Sequence, residues 1–405
     1  MTYITSDEFH AIITPATVRI SKLFEQAGFD IRIVGGAVRD SLLRVMPKDV
    51  DFATNATPEE MIRLMVAADL YVIGVTESLR RGKTLNEIIA RIDDIPGIQH
   101  GTVSAVINGE TFEITTLRYD METTGRHAKV AFHRSFPEDA KRRDFRFNAM
   151  YASMDGELHD YVGGKDDLDQ QVVRFVGAPS QRIREDYLRI LRYFRFAARL
   201  GFSFDDAADA AIAYNVAGLT TISGERIWAE MSKLFMYRDP VKYLLHMHAL
   251  GVTEAIQLPV DMDQVRVVSE FATSPVSVLA ASLRSVSEVD TLAARWKLSG
   301  VERNLAAFLV QYRDDRVGLR TAQDMVVDGA NHDFVAELLR VGGRVAEADT
   351  LVGWVTPKFP VSGADLMALG MKQGKELGDA LKSMKERWKR SDFQLSKDEL
   401  MAGGV

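Results

Sequence analysis

The hydrophobic pattern of this chain changes once, close to Asp166, and that change limits the folds open to it. Before this point, short apolar runs alternate with helical stretches and with turns rich in Gly, Pro and Asn, as in a mixed sheet covered by helices. From Arg182 to Thr350, apolar residues recur at helical spacing and strand signals are few. We therefore predict an α+β N-terminal part with a mixed β-sheet, residues 1–165, followed by helices alone.

The composition is typical of a globular protein with several domains. A length of 405 residues exceeds the ~150 residues of an average domain more than twofold. The absence of cysteine excludes disulfides, cysteine-bound zinc and a thiol nucleophile. No apolar run reaches the ~18 residues of a membrane span, and residues 1–9 lack a signal-peptide pattern. We expect a cytoplasmic protein that makes no membrane contact.

The charges are unevenly distributed along the chain. The formal net charge is −7, which argues against a uniformly basic nucleic-acid binder. Three segments nevertheless each carry a local net charge of +4, namely 126–146, 181–199 and 381–390. Together they predict a positive track for a polyanion, although each segment alone is also typical of a solvated helix face.

Three acidic residues are expected on one face of the N-terminal sheet. Asp49 and Asp51 alternate with apolar residues in a predicted strand over 49–53, so both point the same way. A second strand over 111–117 follows the hairpin turn Asn108-Gly109 and places Glu113 on its polar side. If both strands lie in one sheet with their apolar sides on the core, the three carboxylates converge.

Converging carboxylates predict a metal site for phosphoryl chemistry. They repel one another unless a cation is present, and hard oxygen ligands favour Mg²⁺. The pair Gly35-Gly36, between a predicted strand and a predicted helix, leaves room for a triphosphate to approach backbone N–H groups. Each signal alone also fits a plain surface loop or turn, and only their order and spacing is specific.

These segments resemble the class II CCA-adding enzymes and the bacterial poly(A) polymerases. The nucleotidyltransferase signature of that family is matched by residues 33–57. Further matches follow in the same order along the chain: His100–Thr102, Phe112–Arg118, Asp120–Val130, Arg142–Ala149, Glu185–Phe196, Ser223–Trp228 and Phe359–Leu400. The resemblance covers most of the chain, is weakest over 239–355, and implies four parts. These are a nucleotidyltransferase head or palm (1–165), a neck with a nucleotide-template helix (166–245), a body (246–355) and a tRNA-binding tail (356–405).

The resemblance also implies roles for individual side chains. Asp49 and Asp51 would bind the catalytic metal ions, and Glu113 would be the third acidic member of the site. The implied nucleotide-binding residues are Gly35, Gly36, Arg39, Arg118, Arg143, Asp144, Asn148, Asp186, Arg189 and Arg192. Arg143 and Asp144 also fit a helix cap with an ion pair, and the residues that bind RNA are not identified.

The proposed template residues have the chemistry that base recognition needs. Asp186, Arg189 and Arg192 are spaced by three, which predicts one helical face. A carboxylate accepts from the exocyclic amine of cytosine or adenine, while a guanidinium donates to ring nitrogen and carbonyl acceptors. Uracil and guanine would leave buried charge unpaired. The alternative is an exposed salt bridge within the helix, but the helix is too apolar to be mostly exposed.

Three further segments carry expectations of their own. Residues 120–130 resemble the flexible loop that the family needs to add the terminal A, with Arg118 and Arg126 as candidate nucleotide or phosphate contacts. Thr124 stands where relatives usually carry an acidic residue, which bears on loop control. Residues 74–95 predict an inserted helix or surface loop, and Ser223 to Arg226 resemble a neck motif with a structural role.

The resemblance implies a CCA tRNA nucleotidyltransferase acting without a nucleic-acid template. It would add C, C and A to tRNA lacking all or part of its 3′ CCA, from CTP and ATP with Mg²⁺. Two metal ions would assist in-line attack by the terminal ribose hydroxyl, with release of pyrophosphate. A poly(A) polymerase, a partial enzyme that adds only CC or only A, and an inactive RNA-binding protein are the alternatives. The sequence gives no oligomeric state.

Overall fold

The computed structural model describes residues 2–95, 97–124, 127–132, 134–259 and 261–402. The chain forms two compact units, Met1–Leu258 and Pro259–Val405. The first unit contains the α+β part and the helices that directly follow it, and the described residues of the second unit form helices only. The predicted fold class is confirmed, whereas the finer division into head, neck, body and tail stays a prediction.

A mixed sheet forms the centre of the first unit. The described residues of this unit form ten strands: β1 (Thr2–Tyr3), β2 (Ile31–Val34), β3 (Asp51–Thr54), β4 (Tyr71–Val72), β5 (Thr102–Ile107), β6 (Glu110–Thr116), β7 (Arg118–Thr124), β8 (His127–Phe132), β9 (Met150–Ala152) and β10 (Glu157–Asp160). Eight strands pair in the order β1-β10-β9-β2-β3-β6-β5-β4. Strands β3 and β6 run parallel, and β7 and β8 form a separate antiparallel hairpin.

Helices pack around this sheet and continue beyond it. Those of the first unit are α1 (Asp7–Ile12), α2 (Pro15–Gln26), α3 (Gly36–Leu42), α4 (Pro58–Ala67), α5 (Thr76–Arg80), α6 (Leu85–Ile89), α7 (Phe136–Arg142), α8 (Gly164–Gln170), α9 (Pro179–Glu185), α10 (Leu188–Leu200), α11 (Asp206–Asn215), α12 (Gly224–Phe235), α13 (Pro240–Ala249) and α14 (Val252–Ala255). Helix α4 begins as predicted, since Thr57 caps it and the Glu60 carboxylate accepts from the Thr57 N–H at 2.7 Å. The inserted segment 74–95 contains the short helices α5 and α6.

Alternation of apolar and polar residues sets the register of the central strands. Phe52 in β3 and Phe112 and Ile114 in β6 are buried against the core. Asn108 and Gly109 both have positive φ, 53° and 84°, as a two-residue turn between β5 and β6 requires. The predicted hairpin is therefore confirmed.

Seven strands differ from the predicted pattern. Strand β3 begins at Asp51, so Asp49 precedes the strand and the alternation argument does not apply to it. Strands β1, β4, β7, β8, β9 and β10 were not predicted. Strand β9 is buried at every position and β10 is half-buried at every position, so neither shows the alternation that identifies a strand.

A cluster of aromatic rings packs the segment before β9 against α10. Phe145 is fully buried, and its ring centroid lies 5.0 Å from that of Phe175, 5.4 Å from Phe196 and 5.6 Å from Phe147. Because Phe145 directly follows Asp144 and Phe196 belongs to α10, this packing fixes where Asp144 lies relative to that helix.

The second unit is a set of helices with its own small core near the C-terminus. Its helices are α15 (Met262–Ser269), α16 (Pro275–Ala281), α17 (Val286–Trp296), α18 (Gly300–Tyr312), α19 (Leu319–Val327), α20 (His332–Val341), α21 (Val345–Val352), α22 (Gly363–Ala368), α23 (Lys375–Arg390) and α24 (Lys397–Ala402). Leu366, Met384, Trp388 and Leu400 are buried in one cluster. In the part of the chain that the structure describes, no helix has the length and apolar content to cross a membrane.

We predict that Phe145→Ala lowers the free energy of unfolding of the first unit by about 3–5 kcal/mol, because it empties a fully buried aromatic site. Urea unfolding followed by tryptophan fluorescence and circular dichroism measures this loss. Tyr214→Ala is the control, since its side chain is 82% exposed and its removal should change stability by less than about 0.5 kcal/mol. Equal effects of the two substitutions would contradict the packing role.

Candidate active site

One cavity in the first unit collects most of the residues that the sequence analysis singled out. Its volume is about 530 Å³. Its lining comes from the central strands, the start of α3, the segment 142–148 and the helices that follow: Val34, Gly35, Gly36, Arg39, Asp51, Glu113, Thr115, Arg142, Arg143, Asp144, Asn148, Asp186, Leu188, Arg189, Arg192, Phe196, Arg199 and Arg226. Of the predicted catalytic and nucleotide-binding residues, Asp49 and Arg118 do not contribute to this lining.

Asp51 and Glu113 form the acidic part of the cavity. Strands β3 and β6 pair in parallel with Asp51 directly opposite Glu113, and the next pair, Phe52 and Ile114, is buried in the core. Burial, together with the negative charges of Glu113 and Asp49, raises the pKa of Asp51 to about 6. Two carboxylates in this arrangement repel each other when both are ionised, and a nearby cation relieves the repulsion.

The donor chemistry of this pair fits a hard divalent cation. Asp51 and Glu113 offer only oxygen ligands, which such ions prefer. The predicted convergence of three carboxylates needs correction, because Asp49 is exposed in the irregular segment before β3. No group of three or more His, Asp or Glu among the described residues is arranged to hold a metal ion. Asp49 lies within electrostatic reach of Asp51, whose pKa it helps to raise.

The turn Gly35-Gly36 connects β2 to α3 at the edge of the cavity. Gly35 has φ 70° and ψ −117°, a conformation that strains any residue with a side chain. Within the first turns of α3, Arg39 is 2% exposed. Its Nη1 donates to Asn148 Oδ1 at 2.6 Å and its Nε donates to Asp40 Oδ1 at 2.8 Å. Arg39 therefore links the glycine turn to the segment that carries Asn148.

Asp144 connects that segment to α10. Its Oδ1 accepts from Asn148 Nδ2 at 3.2 Å, and its Oδ2 accepts from Arg192 Nε at 2.8 Å. Burial by itself raises the pKa of Asp144, but the charge and hydrogen bonds of Arg192 outweigh it and lower the pKa to about 2. Arg143 pairs instead with the buried Asp139 at 3.1 Å. The expected ion pair thus forms between Asp144 and Arg192, not between the neighbours Arg143 and Asp144.

The predicted template helix is interrupted at Asp186. Helix α9 ends at Glu185, Asp186 has an extended backbone with φ −156° and ψ 105°, and α10 begins at Leu188. Asp186 Oδ1 accepts from the Leu188 N–H at 3.1 Å, so the side chain satisfies a free donor in the first turn of α10. Asp186, Arg189 and Arg192 therefore do not share one helical face, although all three line the cavity.

Sequence reasoning missed several arginines of the cavity. Arg199 lies two turns beyond Arg192 on α10, a helical spacing that could have identified it, and its Nη2 donates to Asp40 Oδ2 at 2.7 Å. Arg226, which stands in the neck motif, pairs with Asp186 at 2.7 Å. No local pattern signals that pair, because Asp186 lies between α9 and α10 and Arg226 lies on α12, 40 residues away.

The segment expected to form a flexible loop is a β-hairpin. Strands β7 and β8 pair from Arg118 with Phe132 to Thr124 with His127. Gly125 and Arg126 lie outside the described residues, and the role of Thr124 in loop control stays a prediction. At the base of the hairpin, the Arg118 N–H donates to Asp139 Oδ1 at 3.2 Å. Asp139 in turn pairs with Arg143, which lines the cavity.

Two family models match the chain. The model described as "Poly A polymerase head domain" matches residues 31–77 and 68–174. The model described as "Probable RNA and SrmB- binding site of polymerase A" matches residues 201–260. The first match covers the central strands of the sheet, and the second covers α11 to α14, whereas α9 and α10 lie between the two matches.

Similar proteins match almost the whole chain. The CCA tRNA nucleotidyltransferase 1, mitochondrial, of Danio rerio is 40% identical over 98% of this chain and 91% of its own length. The protein of the same name in Homo sapiens is 39% identical over the same shares. The CCA-adding enzyme of Lacticaseibacillus paracasei is 32% identical over 92% of this chain and 91% of its own length.

Solved structures show the same fold. The Bacillus stearothermophilus CCA-adding enzyme in complex with CTP matches with a TM-score of 0.75 and 25% identity, over 96% of this chain and 94% of that chain. The Thermotoga maritima CCA-adding enzyme complexed with tRNA_CCA matches with a TM-score of 0.67 and 18% identity, over 99% and 98%. The second likeness concerns the fold alone.

The lowered pKa of Asp144 predicts a dependence of stability on pH. The folded-state pKa, about 2, lies below the ordinary 3.8, so the ionised carboxylate stabilises the fold above about pH 4 and loses this effect as the pH falls towards 2. Asp144→Asn should therefore cost about 2 kcal/mol near pH 6, and the difference from the unmodified protein should shrink between pH 4 and pH 2.

Urea unfolding at a series of pH values measures this difference for Asp144→Asn. Asp206→Asn, at an exposed position on α11, is the matched control and should show no such trend. A difference between Asp144→Asn and the unmodified protein that stays constant from pH 6 to pH 3 would contradict the ion-pair assignment.

Proposed function

The chain belongs to the family of class II CCA-adding enzymes, and we propose that it extends the 3′ end of tRNA with C, C and A from CTP and ATP. One observation carries the proposal: a single cavity contains both the acidic pair Asp51 and Glu113 and the base-reading candidates Asp186 and Arg189. Groups for phosphoryl transfer and for base recognition thus surround one bound nucleotide.

The proposed chemistry requires positioning rather than a protein nucleophile. The 3′ hydroxyl of the primer releases its proton to solvent and its oxygen bonds to the α-phosphorus of the nucleotide. The bond from that phosphorus to the bridging oxygen breaks, and pyrophosphate leaves. The cavity holds the triphosphate in line for this displacement and offsets its negative charge. Besides Arg189 and Arg226, the positively charged residues of the cavity lining are Arg39, Arg142, Arg143, Arg192 and Arg199.

Asp51 and Glu113 would hold the divalent ion, with Asp49 beside them. Nucleotidyltransferases of this family use divalent metal ions, and we propose Mg²⁺ because the ligands are all oxygens. When bound, the ion offsets charge on the triphosphate and lowers the pKa of the primer hydroxyl. We propose that two such ions take part, as the resemblance to the family implies.

Base choice is assigned to Asp186 and Arg189. Asp186 accepts from the exocyclic amine that cytosine and adenine share, and Arg189 donates to a ring nitrogen or carbonyl oxygen. Uracil offers a carbonyl oxygen where cytosine has its amine, so the carboxylate of Asp186 would face a second acceptor. A site whose acceptor binds an amine discriminates strongly against a base that lacks the amine, because the acceptor is then left without a hydrogen bond.

The alternatives have less support. A poly(A) polymerase shares the head, as the name of the matching family model indicates, but relatives matched over 91% of their length are named as CCA-adding proteins. The pair Asp51 and Glu113 argues against an inactive RNA-binding protein. A partial enzyme that adds only CC or only A is distinguished by its products. A cytoplasmic location stays a proposal, since the similar proteins of zebrafish, mouse and human are named mitochondrial.

Asp51→Asn should abolish nucleotide transfer, by about 10³-fold or more, because it removes one charge of the acidic pair. The assay supplies tRNA that ends before CCA, Mg²⁺, CTP and ATP, and sequences the products. The unmodified protein should give tRNA ending in CCA, and long A tails or no incorporation would contradict the proposed function. Binding of tRNA by Asp51→Asn should stay within about twofold, and Asp93→Asn, in the exposed insertion, should leave transfer unchanged.

Asp186→Ala should reduce discrimination between CTP and UTP, because the acceptor for the exocyclic amine is lost. The measurement is kcat/KM for each nucleotide on the same tRNA, and the expected fall in the ratio is roughly 10-fold or more. Asp206→Ala, an exposed aspartate on α11, should keep the ratio. An unchanged ratio in Asp186→Ala would remove the base-reading role from this residue.

A further inference from the structure

The two proposed base-reading side chains are not paired with each other. Arg226 Nη2 donates to Asp186 Oδ2 at 2.7 Å. Arg189 Nη1 donates to Glu185 Oε2 at 2.7 Å and to the backbone carbonyl oxygen of Arg182 at 2.9 Å. Each reading group is thus held by an oppositely charged partner of its own.

These pairings leave hydrogen-bonding capacity on both groups. A carboxylate has about four acceptor sites, and Asp186 uses one oxygen for Arg226 and the other for the Leu188 N–H. A guanidinium has about five donor hydrogens, and the described contacts of Arg189 occupy Nη1 and one hydrogen of Nη2, the latter with the carbonyl oxygen of Arg142. Both groups can therefore bind a base edge without breaking these contacts.

We propose that Arg226 is a positioning residue for base choice, which holds Asp186 in the orientation that reads the exocyclic amine and keeps it from pairing with neighbouring guanidinium groups. The inference rests on the proposed function and adds a residue to it. Arg226 acts through Asp186 and need not touch the base.

The competing partners of Asp186 are close. Arg189 and Arg192 line the same cavity as Asp186. Burial alone would lower the pKa of Arg192, but the charges of Asp144, Glu230 and Asp186 together raise it above its usual value, so Asp186 and Arg192 attract each other. Without Arg226, this attraction draws the Asp186 carboxylate towards the arginines of α10. A carboxylate neutralised there no longer presents a fixed acceptor to the base.

Arg226 is poorly placed to serve stability alone. It lies in the first turn of α12, which begins at Gly224, and a positive charge there opposes the helix dipole. Its side chain is 22% exposed and that of Asp186 is 21% exposed, and ion pairs that reach solvent stabilise a fold weakly. The pair is therefore better explained by the position it gives Asp186 than by the stability it adds.

A second ion pair between α10 and α12 shows the contrast. Arg195 and Glu230 approach to 2.5 Å, and their side chains are only 9% and 8% exposed. Neither residue lines the cavity. The pair of Arg195 and Glu230 thus joins the two helices in the interior of the protein, whereas Arg226 and Asp186 both line the cavity.

The test compares discrimination between CTP and UTP, as the ratio of kcat/KM values, in variants of the full chain. Arg226→Ala should lower this ratio by roughly 10- to 100-fold, because a reading group that is misplaced by about an ångström loses its contact. Arg226→Lys keeps the charge and should recover most of the ratio. Arg174→Ala is the matched control, since Arg174 also forms ion pairs, with Asp167 and Asp205, at a similar side-chain exposure of 29% but outside the cavity. It should keep the ratio.

A double-mutant cycle separates positioning from general stability. If Arg226 acts through Asp186, Arg226→Ala should lower the ratio no further once Asp186→Ala is present. If Arg226 had only a structural role, Arg226→Ala would lower kcat/KM for CTP and UTP by the same factor. It would do so both in the unmodified protein and in Asp186→Ala. Thermal unfolding of each variant shows that the compared proteins are folded.

The outcomes distinguish this inference from the function on which it rests. An unmodified protein that adds no C refutes the proposed function, and an unchanged ratio in Asp186→Ala refutes base reading by Asp186. If both tests succeed, an unchanged ratio in folded Arg226→Ala overturns the inference alone. Should Arg226→Ala not fold, the pair Arg226→Lys and Arg226→Gln replaces it: a lower ratio for Gln supports the inference, and equal ratios at the unmodified value overturn it.

Discussion

The ion pair between Asp144 and Arg192 is the contact on which the cavity depends. Asp144 belongs to the segment that also carries Asn148, and Arg192 belongs to α10, so the pair sets the distance between that segment and α10. The Asp144 side chain is only 11% exposed, so separating it from Arg192 would leave its negative charge buried alone. The pair therefore fixes the geometry of the cavity: it holds the acidic residues and the proposed base-reading residues around one volume.

Features that depend on neighbouring residues could be predicted from the sequence. The cap at Thr57, the Asn108-Gly109 turn and the burial of Phe112 and Ile114 each follow from a few adjacent positions. The same holds for the acidic pair: alternation assigned Glu113 to the polar side of its strand, and the parallel pairing places it opposite Asp51. This part of the site could be predicted because side chains alternate between the two faces of a strand, and that alternation is visible in the sequence.

Features that depend on distant partners could not be predicted. The break at Asp186 is invisible in an i, i+3 spacing, because the side chain is held by Leu188 and by Arg226, 40 residues away. Arg39 finds its partner in Asn148, 109 residues away. The predicted position of Asp49 was wrong for another reason. A strand begins where its backbone first pairs with a neighbouring strand, and β3 pairs with β2 and β6 only from Asp51 onwards.

The parallel pairing of β3 with β6 has a consequence for synthesis on the ribosome. A parallel pair needs a long connection, and here the acidic residues belong to strands that end at Thr54 and Thr116, while the last residue of the cavity lining is Arg226. Chains emerge from the N-terminus at about 5–20 residues per second. The residues of the acidic pair thus leave the ribosome well before Asp186, Arg189 and Arg226, the residues that we propose for base choice.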